Sequence, residues 1–119
     1  DLLKQFLYFF LSIEIETHAT FSSIRHSEHI ARLLNNQDRV KEHSTAFFEN
    51  QSERWKSLLD RFVWCSICTW THVTDADISE FKRLKDIRND IAHGSIAEPS
   101  SESVNAARKL AIKLHGFRA

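Results

Sequence analysis

The residues that break regular secondary structure are confined to the last quarter of this chain. Both glycines and the single proline lie at positions 94 to 116, so residues 1–93 contain neither residue type. A β-rich fold of 119 residues usually needs more glycine and proline for its turns, whereas a helical fold needs few. The sequence therefore predicts an all-α fold.

Apolar residues recur every three or four positions in several segments, which predicts amphipathic helices. In the first half, a weak stripe over residues 17–34 could continue the preceding helix and ends at a break predicted at Asn35–Asn36. Residues 37–51 predict only a short or irregular helix. Residues 2–16 predict a core helix or a dimer-interface helix, whose buried face is formed by Leu3, Phe6, Leu7, Phe10 and Ile13.

Three further helices are predicted in the second half. Residues 52–71 are strongly apolar, with Ser52 as the expected N-cap. Residues 75–93 follow a cap at Thr74 or Asp75 and end at Gly94, and the last helix covers residues 102–115. Short connections predict an antiparallel bundle of four to five helices. We expect residues 1–119 to be one domain and, because the chain starts without Met, either a fragment of a longer protein or a processed chain.

Arg88 and His93 carry the clearest chemical signal. Arg88 lies at the edge of the apolar stripe formed by Leu84 and Ile91, about 40° and 60° away from them around the helix. A guanidinium there cannot lose its proton and needs an anion or hydrogen-bond acceptors nearby. Histidine can accept and donate protons near neutral pH. A fixed cation near such a group indicates a site that handles phosphate.

The segment from Ile87 to Gly94 resembles the motif of the HEPN superfamily, in which Arg, a polar residue and three to five further positions precede His. Here the motif reads Arg88-Asn89-Asp90-Ile91-Ala92-His93. The resemblance implies a HEPN-like fold and a metal-independent endoribonuclease, of the kind found in toxins and defence effectors. It implies catalytic roles for Arg88 and His93, supported by Asn89 and Asp90, and RNA products with 2′,3′-cyclic phosphate and 5′-hydroxyl ends. An antitoxin or a fused sensor domain would be further partners.

Five helical residues place Arg88 and His93 about 140° apart, so the two side chains do not meet easily in one chain. A homodimer that faces two copies of the motif would form one composite site, which is the arrangement known for the family. The net charge is zero, but basic residues gather in the last third of the chain. The candidates for RNA backbone contacts are Lys85, Arg108, Lys109 and Lys113, with Arg118 in the same basic segment.

Two other interpretations remain open. The domain could be a non-catalytic module for helical dimerisation or for binding a nucleotide or another ligand. Alternatively, Arg88 could be the buried salt-bridge partner of a carboxylate in a plain bundle. No cofactor is expected, because glycine-rich phosphate-binding patterns are missing from the sequence.

The remaining motifs are weaker. We interpret Cys65 and Cys68 as buried structural thiols rather than a zinc site. Four of the histidines, including His26, are expected to lie on the surface. The apolar run at residues 6–11 is too short to span a bilayer, and no signal peptide is recognisable. With two cysteines and no disulfide framework, we expect a cytoplasmic protein that does not enter the membrane.

Overall fold

The computed structural model describes residues 1–35 and 39–118, except for the side chains of Lys41, Phe117 and Arg118. Within these ranges the chain forms α-helices and no strand, which confirms the all-α prediction. The break predicted at Asn36 and the basic side chain of Arg118 lie outside the described residues. The helices are α1 (Leu2–Ser23), α2 (His26–Leu33), α3 (Lys41–Ser52), α4 (Leu58–Cys68), α5 (Asp75–Ala92) and α6 (Ser101–Arg118).

The core lies between α1, α4, α5 and α6. Three stacked phenylalanines tie these elements together, because Phe81 of α5 lies 6.1 Å from Phe10 of α1 and 4.1 Å from Phe62 of α4, measured between ring centroids. Helix α6 covers the range predicted for the last helix, and it buries the side chains of Val104, Ala107, Leu110, Ala111 and Leu114.

Side-chain contacts give the direction of two helix pairs. In the α5–α6 pair, Lys113 binds Asp77 at 2.6 Å and Arg83 donates to Ser103 at 3.2 Å. The end of one helix therefore lies beside the start of the other, and the pair is antiparallel. In the α1–α4 pair, the Cys65 thiol donates to the Thr17 carbonyl, while Arg61 lies over the ring of Phe21. This pair is antiparallel as well.

The described part of the chain has six helices instead of the predicted four to five, because the helix from α1 breaks at Ile24. Ile24 has an extended backbone, with φ −75° and ψ 135°, and it is buried. The chain therefore turns, and α2 and α3 pack against each other as a helical pair that we call the arm. The arm makes the molecule long, with principal extents of 55 × 32 × 22 Å.

Two details of the predicted helices are wrong. Ser52 does not cap α4, since it is buried at the end of α3, where its hydroxyl donates to the Glu49 carbonyl at 2.7 Å. Ser57 is the N-cap instead, and its hydroxyl accepts from the Asp60 N–H. Leu7 is 40% exposed rather than buried, because it lies at the edge of the face of α1 that buries Phe10.

Candidate functional site

Arg88 lies on α5 at the edge of the core. It is half-buried, and its guanidinium carbon lies 5.8 Å from the centroid of the Phe10 ring on α1, the geometry of a cation–π contact. No carboxylate of the described residues lies within salt-bridge distance of Arg88. The aromatic ring lies against the face of the guanidinium, and no hydrogen bond from its N–H groups to another described residue is found.

His93 marks the end of α5. It is the C-cap residue, with φ −87° and ψ −2°, and its side chain is exposed. Gly94 then adopts a positive φ of 79°, its N–H donates to the Ile91 carbonyl at 3.1 Å, and the Ser95 N–H donates to the Asp90 carbonyl at 2.8 Å. These bonds form a Schellman motif, which fixes the last turn and presents His93 at the helix terminus.

The backbone therefore remains helical from Arg88 to His93. Because His93 keeps helical backbone angles, the two residues are separated by about 140° around the axis and about 7.5 Å along it. One side chain faces the α1 side of α5, whereas the other faces solvent. A single chain does not bring them to the same phosphate.

The two supporting residues contribute to the cap through their backbones. The His93 N–H donates to the Asn89 carbonyl at 2.9 Å, and the Asp90 carbonyl accepts from Ser95. The side chain of Asn89 is half-buried and that of Asp90 is exposed. Neither side chain holds Arg88 or His93 among the contacts found in the described part of the chain.

The four basic residues predicted to bind RNA are not gathered around the motif. Lys85 is half-buried one turn before Arg88, and Arg108, Lys109 and Lys113 follow α6. Since α6 is antiparallel to α5 and Lys113 pairs with Asp77, Lys113 lies about 24 Å from His93 along the helix axis. Arg108 is exposed and donates to its neighbour Asn105 at 2.5 Å.

The surface around Lys109 and Lys113 is of mixed charge. Both lysines line a shallow cleft between α5 and α6 together with three acidic residues, Asp77, Glu80 and Glu102. Burial opposes the ionisation of Asp77, but hydrogen bonds from Lys113 and Thr74 outweigh it and lower its pKa. The hydrogen bond from Arg83 likewise lowers the pKa of Glu80. Carboxylates held in their charged form oppose the approach of a nucleic-acid backbone.

The sequence interpretation missed an apolar groove between the arm and α4. Its volume is about 520 Å³, within the range of small-molecule sites. Two charged residues, Asp60 and Lys82, accompany the apolar lining. Part of the signal was visible in the sequence as the apolar pairs Leu33–Leu34 and Phe47–Phe48. The apolar residues that line the groove are Ile30, Leu33, Leu34, Phe48, Trp55, Leu59, Val63, Trp64 and Ile67.

The prediction that His26 lies on the surface is wrong. The imidazole is partly buried between aromatic rings, and its Nδ1 accepts a hydrogen bond of 2.8 Å from the indole N–H of Trp64. It packs 4.7 Å from the centroid of the Phe21 ring. His26 therefore joins the start of the arm to α1 and α4.

The cysteines are free thiols. Cys65 is buried as predicted, whereas Cys68 is only partly buried. Burial raises the pKa of Cys65 to about 12 and that of Cys68 to about 11, so both remain protonated at neutral pH. In the described ranges, His, Cys, Asp and Glu side chains form no cluster of three or more that could hold a metal ion.

Comparisons with known proteins give no relative for this chain: no family model, no curated protein and no solved structure matches it. A search of residues 1–35 and 39–118 for long apolar helices finds none with the length and hydropathy required to cross a bilayer.

Proposed function

We propose that this chain is a metal-independent endoribonuclease of the HEPN type. Arg88 and His93 act on RNA in a composite site shared by two copies, as in a toxin or a defence effector. An antitoxin or a fused sensor domain would control it, and the two free thiols favour the cytoplasm. The observation that carries the proposal is Arg88, a half-buried cation on an aromatic ring, five residues before an exposed histidine at a fixed helix end.

The environment of Arg88 argues against a purely structural role. A half-buried arginine that only stabilises a bundle is expected to pair with a carboxylate, because even partial burial of an unpaired charge is costly. Within the described residues Arg88 has no such ion pair, and Phe10 supplies only its aromatic face. An anion from outside, such as the phosphate of RNA, would complete its hydrogen bonds.

The chemistry that follows is transesterification at phosphorus. His93 takes the proton of the RNA 2′-hydroxyl, and the 2′-oxygen forms a bond to phosphorus. The bond between phosphorus and the 5′-oxygen breaks, and that oxygen takes a proton from the second histidine of the composite site. Arg88 holds the non-bridging oxygens as negative charge develops on them. The products are a 2′,3′-cyclic phosphate and a 5′-hydroxyl.

The decisive experiment is RNA cleavage in the presence of EDTA, with total RNA and a set of single-stranded and structured RNAs as substrates. We expect Arg88→Ala and His93→Ala each to reduce cleavage by about 100-fold or more, because each removes a group that stabilises the transition state. Product ends are identified by their resistance or susceptibility to end-specific enzymes.

The matched controls are Arg54→Ala and His43→Ala, which remove the same side-chain types from exposed positions away from the motif. They should cleave as the wild type does, and all four variants should keep its circular dichroism spectrum. Cleavage that is equal in the wild type, Arg88→Ala and His93→Ala contradicts the proposal, as does the lack of cleavage of every RNA by the wild type.

The second candidate is a non-catalytic binding module. The apolar groove between the arm and α4, with its volume of about 520 Å³, favours this candidate because it suits a small ligand. The binding module would be supported if the protein does not cleave RNA but binds an apolar fluorescent probe. Leu59→Glu, in the groove, should abolish this binding. A nuclease would instead show cleavage that Leu59→Glu leaves intact.

A further inference from the structure

The apolar groove between the arm and α4 follows one side of α4. Its α4 wall contains Leu59, Val63 and Ile67, whose four-residue spacing puts them on the same side of the helix over about 12 Å. The facing wall belongs to the arm, with Leu33 from α2 and Phe48 from α3. Leu33, Phe48 and Ile67 are 58%, 41% and 53% exposed. The groove therefore presents apolar walls that a ligand can reach from solvent.

One end of the groove carries a positive and a negative charge. Phe62 of α4 stacks on Phe81 of α5 at 4.1 Å between centroids, and the chain turns back between these consecutive helices, so they are antiparallel. Lys82 directly follows one of the two rings, and Asp60 lies two residues before the other. The two charged residues are therefore within about 2 Å of each other along the helix axes. Both line the groove, at the end where α4 begins.

The two charges are available to a ligand. Lys82 and Asp60 are both exposed, and neither forms a salt bridge with another described residue. An anionic head group at this end would be attracted by the ammonium and repelled by the carboxylate, and a cationic head group would meet the reverse. A neutral amide suits both, because its carbonyl oxygen accepts from Lys82 while its N–H donates to Asp60.

We propose that the groove binds a medium-chain acyl amide, with the acyl chain along α4 and the amide group between Lys82 and Asp60. An extended alkyl chain advances by about 1.3 Å per carbon, since its bonds are about 1.5 Å long, so about nine or ten carbons match the α4 wall. The volume of about 520 Å³ is suited to a ligand of this size. The inference rests on the groove that favours the second candidate function, and it does not depend on Arg88 or His93.

The bound chain would also hold the arm against α4. It would contact Leu33 and Phe48 on one side and Val63 and Ile67 on the other, so the arm could not open without losing these contacts. A ligand that binds only the closed form slows opening by mass action. At a concentration 100 times its dissociation constant, the ligand should slow amide exchange in α2 and α3 by up to about 100-fold.

The first test compares decanamide, decanoate and decylamine, which have equal chain lengths, below the concentrations at which they form micelles. Trp55 and Trp64 line the groove, so tryptophan fluorescence reports binding. We expect decanamide to bind at least about 10-fold more tightly than the other two, because each of those meets one opposing charge. The inference is overturned if decanamide does not bind, or if decanoate or decylamine binds as tightly. A different apolar probe that binds in the groove would then keep the second candidate function without this ligand class.

The second test changes the two charges separately. Asp60→Asn leaves the ammonium unopposed and should shift the preference towards decanoate by about 10-fold, whereas Lys82→Gln should shift it towards decylamine by a similar factor. Asp90→Asn and Lys4→Gln are the matched controls, since both residues are exposed and lie outside the groove. Preferences that stay the same in Asp60→Asn and Lys82→Gln contradict the placement of the amide group and reject the inference.

The third test locates the acyl chain. Ile67→Glu should weaken decanamide binding by at least about 10-fold, because it places a charge beside the chain. Ile112→Glu should not, since Ile112 is 59% exposed on α6, outside the groove. Decanamide should slow exchange in α2 and α3 of the wild type and of Ile112→Glu alone. Equal binding by both variants overturns the inference. RNA cleavage is assayed separately, so a protein that binds decanamide without cleaving RNA keeps this site and rejects the nuclease.

Discussion

His26 connects three helices through one side chain. Its Nδ1 accepts from Trp64 of α4, its ring packs on Phe21 of α1, and it opens α2. Burial is the main cause that lowers the pKa of His26, followed by repulsion from His29, while the acids Glu49 and Glu53 oppose this and Arg61 adds to it. The neutral form is the one that can accept the indole hydrogen bond, so the fold and the unprotonated imidazole support each other.

The protein should therefore lose stability in mild acid. The folded pKa of His26 lies below its ordinary value of 6.5. As the pH falls below 6.5, the unfolded chain binds the proton first, and the free energy of unfolding decreases until the folded pKa is passed. When the pH is lowered from 7.5 to about 5, we expect the free energy of unfolding to fall less for His26→Gln than for the wild type. The amide oxygen of the glutamine can still accept the hydrogen bond from Trp64.

Urea denaturation followed by tryptophan fluorescence at a series of pH values measures this difference. The comparison cancels the contributions of the other histidines, because both proteins contain them. Parallel pH profiles for the wild type and His26→Gln would contradict the prediction.

At the scale of single residues, the burial of a side chain was predictable from the sequence where it depends on one helix. Contacts between residues of two different helices were not predictable. The half-buried position of Arg88 followed from its angle to Leu84, since both residues are in α5. The hydrogen bond of His26 was not predictable in this way, because Trp64 is 38 positions away. For the same reason, the Phe10 ring under Arg88 was not foreseen.

At the scale of the helix, Gly94 is the one position where a glycine is required by its backbone. Its φ of 79° closes the Schellman motif after α5, and a Cβ built there meets no atom within 4 Å. We expect Gly94→Ala to lower the free energy of unfolding by about 1 kcal/mol through backbone strain alone, since there is space for the methyl group. Thermal and urea denaturation measure this change.

Gly116 provides the matched control for this substitution. It lies in α6, without a positive φ, and a Cβ there is also free of contacts. Gly116→Ala should therefore leave stability unchanged or raise it by up to about 1 kcal/mol, since alanine favours the helix. Equal effects of the two substitutions would show that the turn after α5 does not need a left-handed residue.

Helix ends were predictable where the local signal was unique. Gly94 ended α5 as predicted, and Thr74 caps it through a capping box with Asp77. Ser52 was the wrong choice of cap for α4, which Ser57 caps instead. The distinguishing signal was the acid three residues on, since Asp60 follows Ser57 at the capping-box spacing whereas Trp55 follows Ser52. Tertiary packing decided the break at Ile24, which no turn residue marks.

At the scale of the whole molecule, the helical class followed from composition, but the arrangement of the arm did not. The Cα radius of gyration is 16.5 Å, whereas a compact domain of this length would have about 13.5 Å. The difference comes from α2 and α3, which pack on each other and leave Phe47 and Phe48 of α3 exposed. Such packing depends on long-range contacts that a hydrophobic pattern does not specify.

The arm should also unfold separately from the rest of the molecule. In α3 no apolar side chain is buried. The contacts that join the arm to the other helices include the buried Ile30, the partly buried Leu34 and the hydrogen bond of His26. The core helices instead share the phenylalanine stack centred on Phe81. Segments with few buried apolar contacts open at a lower free energy than the core does.

Native-state hydrogen exchange followed by mass spectrometry tests this. We expect the amides of α3 to exchange about 100-fold faster than those of α4, a matched comparison because the two helices have 12 and 11 residues. His26→Ala should accelerate exchange in α2 and α3 while leaving α5 and α6 unchanged, since it removes a tether of the arm alone. Equal protection of the amides in α3 and α4 would instead mean that the arm and the bundle unfold as one cooperative unit, even though α3 buries no apolar side chain.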